Sequence, residues 1–118
     1  MDVDRAQMLQ VLTNLVGNAV AYTPPGGRVN VSSAYASHDG QAGVAVHVHN
    51  TGAAIPADDL PHLFERFFRG RTGLDSGEAG TGLGLSICRE IIEQHGGSIS
   101  VNSSEPDGTM FTVWLPIV

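Results

Sequence analysis

The sequence predicts an α+β domain, a two-layer α/β sandwich in which one β-sheet carries its helices on a single face. Three observations lead there. Apolar residues recur at helical spacing over residues 4–22 and 82–95. Stretches beginning at Arg28, Val44, Ser98 and Thr109 alternate apolar and polar residues as half-buried strands do. The resulting order is helix, two strands, short helix, long loop, helix, two strands. It lacks the strand–helix alternation of a doubly wound parallel sheet. A chain of 118 residues with 42% hydrophobic and 15% charged side chains is expected to form one globular domain over residues 1–118.

Asp4 is the expected cap of the first helix, and Leu9, Leu12, Leu15, Val16 and Ala19 its apolar stripe. Pro24, Pro25, Gly26 and Gly27 stop the helix near Tyr22. "RVNVSSA" then alternates as a strand, "HDGQAG" reads as a hairpin turn, and "VAVHVHN" is the returning strand, residues 44–50. In that strand Val44, Val46, Val48 and Asn50 share the face that should meet the helices, while His47 and His49 point away. "DDLPHLFERFF" gives a short helical piece, and residues 69–80 a polar, glycine-bearing loop. The second strong helix, 82–95, places Leu83, Ile87, Cys88 and Ile91 on one side and ends at the Gly96–Gly97 pair. "SISVNSS", a turn at "EPDG" and "TMFTVWLPIV" close the chain as a hairpin.

Composition excludes several kinds of chemistry. A net charge of −6 lacks the basic face of a general nucleic-acid binder. The single cysteine, Cys88, forbids an internal disulfide and a cysteine-based zinc cage, and suits a reducing, cytoplasmic setting. The sequence shows neither a signal peptide nor an apolar run of membrane-spanning length, so no direct membrane contact is expected of this domain. The chain has no lysine, which removes Walker-type phosphate binding and Schiff-base catalysis. Its six cations are arginines, and Arg66, Arg69 and Arg71 fall together just before a glycine-rich stretch.

That stretch, "GEAGTGLGLSI", sets Gly77, Gly80, Gly82 and Gly84 at the start of a helix, although glycine costs about 1 kcal/mol per residue there. Unpaired N–H groups at a helix start bind anions, and glycine lets the main chain approach them. A phosphate cradle and a flexible hinge both fit. In the first helix Asn14 and Asn18 stand four apart, hence on one face, amid apolar neighbours. They read either as core amides with internal partners or as oxygen ligands for a hard cation such as Mg²⁺. Asn50 ends a buried row beside the Gly52 turn, where a ligand ring has room.

Four separated motifs together resemble the catalytic and ATP-binding domain of sensor histidine kinases, in the GHKL ATPase superfamily with the gyrase B subunit and MutL. "NLVGNAVAYTP" resembles the family's N box, "NTGAAIP" its first glycine box, "LFERFFRG" its F box, and "GTGLGLSI" its second glycine box. Any one is weak, but four in order over residues 2–116 are specific. The resemblance implies a Bergerat fold: a mixed, mostly antiparallel sheet of about five strands with three helices on one face. It implies ATP and Mg²⁺ as ligands, Asn18 as the metal ligand, and Asn14 and Arg66 as catalytic residues on the phosphate side. It implies a nucleotide site of Asn14, Asn18, Tyr22, Asn50, Gly52, Ala54, Ile55, Gly80, Thr81, Gly82, Leu83, Gly84 and Leu85. As partners it implies a dimerisation and phosphotransfer domain of the same parent kinase, which carries the acceptor histidine, and a response regulator in a two-component phosphorelay. On this reading the chain is a domain excised from a longer kinase, whose other parts are free to include a membrane anchor. In this family's F box, Phe67 and Phe68 also dock on the partner helices.

The chain departs from the family at three positions. Asn50 replaces an aspartate, Ala54 a glycine, and Ala21 a basic residue. An amide still offers one carbonyl acceptor, without charge assistance. These departures keep an alternative in view, a degenerate GHKL module that binds nucleotide weakly and acts through protein contacts.

Overall fold

The computed structural model describes residues 3–52, 54–65, 84–105 and 107–117. Helix α1 runs Arg5–Tyr22, and the Asp4 carboxylate caps it by accepting the Gln7 N–H at 3.0 Å. Strands β1 (Val29–His38) and β2 (Gln41–Asn50) come next as a hairpin. Its two-residue turn, Asp39–Gly40, has φ of 51° and 79° at those residues, the mirror-image turn that matches strand twist. A single 3₁₀ turn, Leu60–His62, precedes helix α2 (Gly84–Gln94), and strands β3 (Ser98–Ser104) and β4 (Gly108–Pro116) complete the order.

The two-layer α+β architecture is as expected, with different counts. Among the described residues the sheet has four strands, ordered β1-β2-β4-β3, and every pairing is antiparallel. The expectation was about five strands in a mixed sheet. Among the described residues two α-helices and one 3₁₀ turn are found, where three helices were expected of the chain. The reason lies in the short segment itself: Pro61 sits at the first positions of its turn, where its missing N–H is tolerated, and the turn closes after three residues.

The helices lie antiparallel on one sheet face. At one end the Asp4 N–H donates to His95 Nε2 at 3.1 Å; midway the Cys88 thiol meets the Val11 carbonyl at 3.8 Å. Val11, Leu15 and Ala19 of α1 and Cys88, Ile91 and Ile92 of α2 pack onto Val48, Phe111, Val113 and Leu115. The buried row of α1 is thus Val11–Leu15–Ala19 rather than the stripe expected: Leu9 and Leu12 are exposed, 65% and 37%. The two share Leu15 and Ala19 and differ by a small rotation about the helix axis, which the docking of α1 against α2 and β2 decides. On the expected inward face of β2, Val48 and Asn50 are buried, and Val44 and Val46 are half-buried.

The opposite sheet face has one large anchor, Trp114. Its indole lies over Gly43, donates its N–H to the Ala36 carbonyl at 2.8 Å and meets the His38 ring at 5.0 Å. His47 and His49 share this outer face, as expected, bonded to the Thr112 hydroxyl and the Asp107 carbonyl.

After α2 the chain turns through a Schellman cap. The Gly97 N–H reaches the Ile92 carbonyl at 2.9 Å and the Gly96 N–H the Glu93 carbonyl at 3.0 Å. A Cβ at Gly97 would strike the Trp114 carbonyl and crowd Ile92 and Leu115. Gly97→Ala is therefore expected to lower stability by about 1–3 kcal/mol, read as a shift in the urea midpoint at unchanged slope.

Candidate functional site

The core is polar at one end. Alternation on β2 turns Asn50 inward, and it is only 3% exposed. Its amide Nδ2 donates to the Thr51 carbonyl at 3.0 Å. Antiparallel register sets Thr109 of β4 beside it and Ser103 of β3 beside Thr109. The Ser103 and Thr109 hydroxyls are 2.7 Å apart, and Ser103 Oγ accepts the Ile55 N–H at 2.8 Å. This hydroxyl pair fastens the segment after β2 to the sheet. Thr51 ties the same region to the residue just before β1: its hydroxyl accepts the Arg28 N–H at 2.8 Å, and its own N–H reaches the Arg28 carbonyl at 3.0 Å.

The helices contribute the other wall. Asn14 and Asn18 are both half-buried, on the flank of α1 that faces α2. The Asn14 side chain abuts Gly84, with 4.0 Å from its Cγ to the place of a Gly84 Cβ. Because the helices run antiparallel, α2 lies beside the C-terminal half of α1 at Gly84 and Leu85, its first described residues. Beneath them Cys88 is fully enclosed; burial pushes its thiol up to about 11, although a hydrogen bond with Asn14 acts the other way.

Of the predicted site residues, Asn14, Asn18, Gly84 and Leu85 line the two helices, and Asn50, Gly52, Ala54 and Ile55 line the end of β2 and the segment after it. Arg66, Gly80, Thr81, Gly82 and Leu83 lie outside the described residues, as do the side chain of Tyr22 and the aromatic pair Phe67 and Phe68. Phe64, the first aromatic of the F-box stretch, does dock: its ring meets Phe111 edge-on at 6.1 Å, and Arg89 lies 6.0 Å above it. A cavity of about 480 Å³ on the outward side of α2 is bounded, among the described residues, by Phe64, Ser86, Arg89, Glu90, Glu93 and Gln94, none of them a predicted site residue. Sequence reasoning missed Ser103 and Thr109. The signal was present: in strands whose inward positions are otherwise Ile99, Val101, Phe111, Val113 and Leu115, both are hydroxyls on the inward parity.

Comparison with known proteins decides the family. Residues 3–118 match the family described as histidine kinase-, DNA gyrase B-, and HSP90-like ATPase. The chain belongs to this family. The ATPase domain is 42% identical over 115 residues to the sensor protein SrrB of Staphylococcus aureus, covering 98% of this chain and 19% of SrrB. It therefore spans about a fifth of that relative's length. Among solved structures it is similar to a mycobacterial sensor histidine kinase, MprB, with TM-score 0.80 and 31% identity over 96% of this chain and 74% of the other. It is also similar to full-length ShkA in complex with AMPPNP, with TM-score 0.71 and 29% identity over 96% of this chain and 22% of that one. The relatives reported include a sensor protein and a sensor histidine kinase, each matched over nearly the whole of this chain, in line with the four motifs. Among the described residues no helix is long and apolar enough to cross a membrane.

Two measurements probe this end of the core. A thiol that is enclosed and held protonated reacts slowly, so Cys88 should resist Ellman's reagent at pH 8 in the folded domain and react fully in denaturant. Ser103→Ala removes the acceptor of the Ile55 N–H and one partner of Thr109; it should cost about 1–3 kcal/mol in chemical denaturation.

Proposed function

We propose that this ATPase domain is the catalytic part of a sensor histidine kinase, binding ATP with Mg²⁺ at the polar end of its core. The γ-phosphate would pass to a histidine on a separate dimerisation and phosphotransfer domain of the parent kinase, and from there to a response regulator. One observation supports the reading: a buried amide, Asn50, ends the inward row of β2 in a core whose covering helix carries the half-buried Asn14 and Asn18. The donor set fits these ligands. Asn18 offers a neutral oxygen to a hard cation that keeps most of its water and its phosphate oxygens. Asn14 and the N–H groups of Gly84 and Leu85 suit phosphate oxygens. Gly52, Ala54 and Ile55 border the place of the base.

Bound Mg²⁺ supplies charge neutralisation to the triphosphate. The protein's own part is to bind and orient. Asn50 sets the base, the tied segment at Ile55 holds that wall still, and Asn14 with the helix start fixes the phosphates. Arg66, Gly80, Thr81, Gly82 and Leu83 join the proposal on sequence alone, as further phosphate contacts, and Tyr22 as a neighbour of the adenosine. The domain alone lacks an acceptor histidine in a recognisable motif, so it should bind nucleotide and show little phosphotransfer. We take residues 1–118 as one domain, working in the cytoplasm.

The alternative, a degenerate module, draws on Ala21, Ala54 and the uncharged Asn50. Calorimetric titration with Mg²⁺ and ATP separates the two. Saturable binding below millimolar, weakened about tenfold or more by Asn18→Ala and by chelation of Mg²⁺, supports the kinase reading; no saturation at millimolar ATP overturns it.

A further inference from the structure

We infer that the free edge of β1 is a pairing surface for a second copy of this chain, joined antiparallel about Ser33. Among the described residues β1 is an outer strand of the sheet, paired on its β2 side alone. Arg28, just before it, turns both its N–H and its carbonyl to Thr51. Peptide groups alternate in direction along a strand, so those of Val29, Val31, Ser33, Tyr35 and Ser37 point out of the sheet's edge. Natural sheets blunt such an edge with lysine, proline, a charge or a bulge. β1 has no lysine, proline or carboxylate, and its ten residues pair with β2 one for one.

The surroundings of this edge are apolar and bare. Register sets Val31 opposite Val48 and Tyr35 opposite Val44, on the face that carries the helices, yet they are 55% and 86% exposed. Helix α1 packs on β1 and β2, and its exposed Leu9, Leu12 and Val20 lie on the flank opposite Asn14, away from α2. An extended strand satisfies both the row of backbone groups and the apolar trough beside it. A copy of β1 is such a strand. Outward peptide groups on odd-numbered residues restrict an antiparallel pair to odd opposite odd, and centring on Ser33 overlaps residues 29–37 of both copies. Val31 of each copy then faces Tyr35 of the other, a β-branched and aromatic pair of the kind that stabilises sheets. The ends match in charge: Arg28 of each copy comes beside the exposed Asp39 carboxylate in the other's turn. The two-fold axis stands perpendicular to the sheet, so both helix layers share one face and the apolar flanks of the two α1 helices turn toward each other.

The test is sedimentation of the 118-residue chain without nucleotide. Its mass should double between micromolar and millimolar concentration. Tyr35→Lys, at a bare position, should weaken the dimer at least about tenfold. Ser33→Cys sets two thiols beside the axis, with Cα atoms about 5.5 Å apart, and should cross-link on mild oxidation. Ser37→Cys sets them on the order of 25 Å apart and should not. The enclosed Cys88 takes no part in either variant. A mass that stays that of one chain at millimolar concentration overturns the inference and leaves the edge to a strand of another protein. Equal cross-linking at both positions, or none in a chain that dimerises, puts the contact on another face and overturns it too, whether or not the lysine variant folds.

Discussion

The antiparallel contact between α1 and α2 is the constraint on which the other features rest. Leu15, Cys88 and Ile92 are wholly enclosed, and the Cys88 thiol lies against the Val11 carbonyl. Such a close approach suits the small side chain there, Cys88, and sets Asn14 of α1 against the first described turn of α2. Had the helices crossed steeply, Asn14 would not meet Gly84. The sheet completes the arrangement by register alone, since β2, β4 and β3 bring Asn50, Thr109 and Ser103 into one row.

Among the described residues, the chemistry of this end is built from amides, hydroxyls and backbone N–H groups. Neutral groups are cheaper to desolvate than a carboxylate, so the polar end can be enclosed in the folded protein before anything binds. Among the described residues every buried side-chain nitrogen or oxygen finds a partner. The Ser103–Thr109 pair shows how: each hydroxyl serves the other, and the spare acceptor takes a backbone N–H. A pocket assembled in this way is preorganised, and little ordering is left to be done when a ligand arrives.

Much of this was legible in the sequence, for identifiable reasons. Strict alternation fixed the inward row of β2 down to Asn50, and the four-residue spacing of Asn14 and Asn18 fixed their common face. The caps at Asp4 and at Gly96–Gly97 were readable because few residue types suit those positions. The features that escaped depend on contacts between elements. Leu9 and Leu12 are as apolar as Val11, and only docking chooses which of them is covered. Trp114 stands on the parity expected to face solvent, and its burial depends on the absence of a side chain at Gly43, a neighbour across the sheet. Ser103 and Thr109 look like ordinary strand residues until register sets them side by side. The strand and helix counts came from family likeness, not from any local pattern, and they are the part that the structure revised.

The double hydrogen bond of His95 has a mechanical consequence. Nδ1 bonds the Ile91 carbonyl at 2.8 Å, inside the last turn of α2, while Nε2 accepts from Asp4 at the head of α1. An eleven-residue helix is a stiff rod about 16 Å long, and here one tip is moored to the capping residue of its neighbour. Tension on the backbone at Asp4 would therefore be delivered as a shift of the whole rod, arriving at Gly84 undiminished by any hinge along the way.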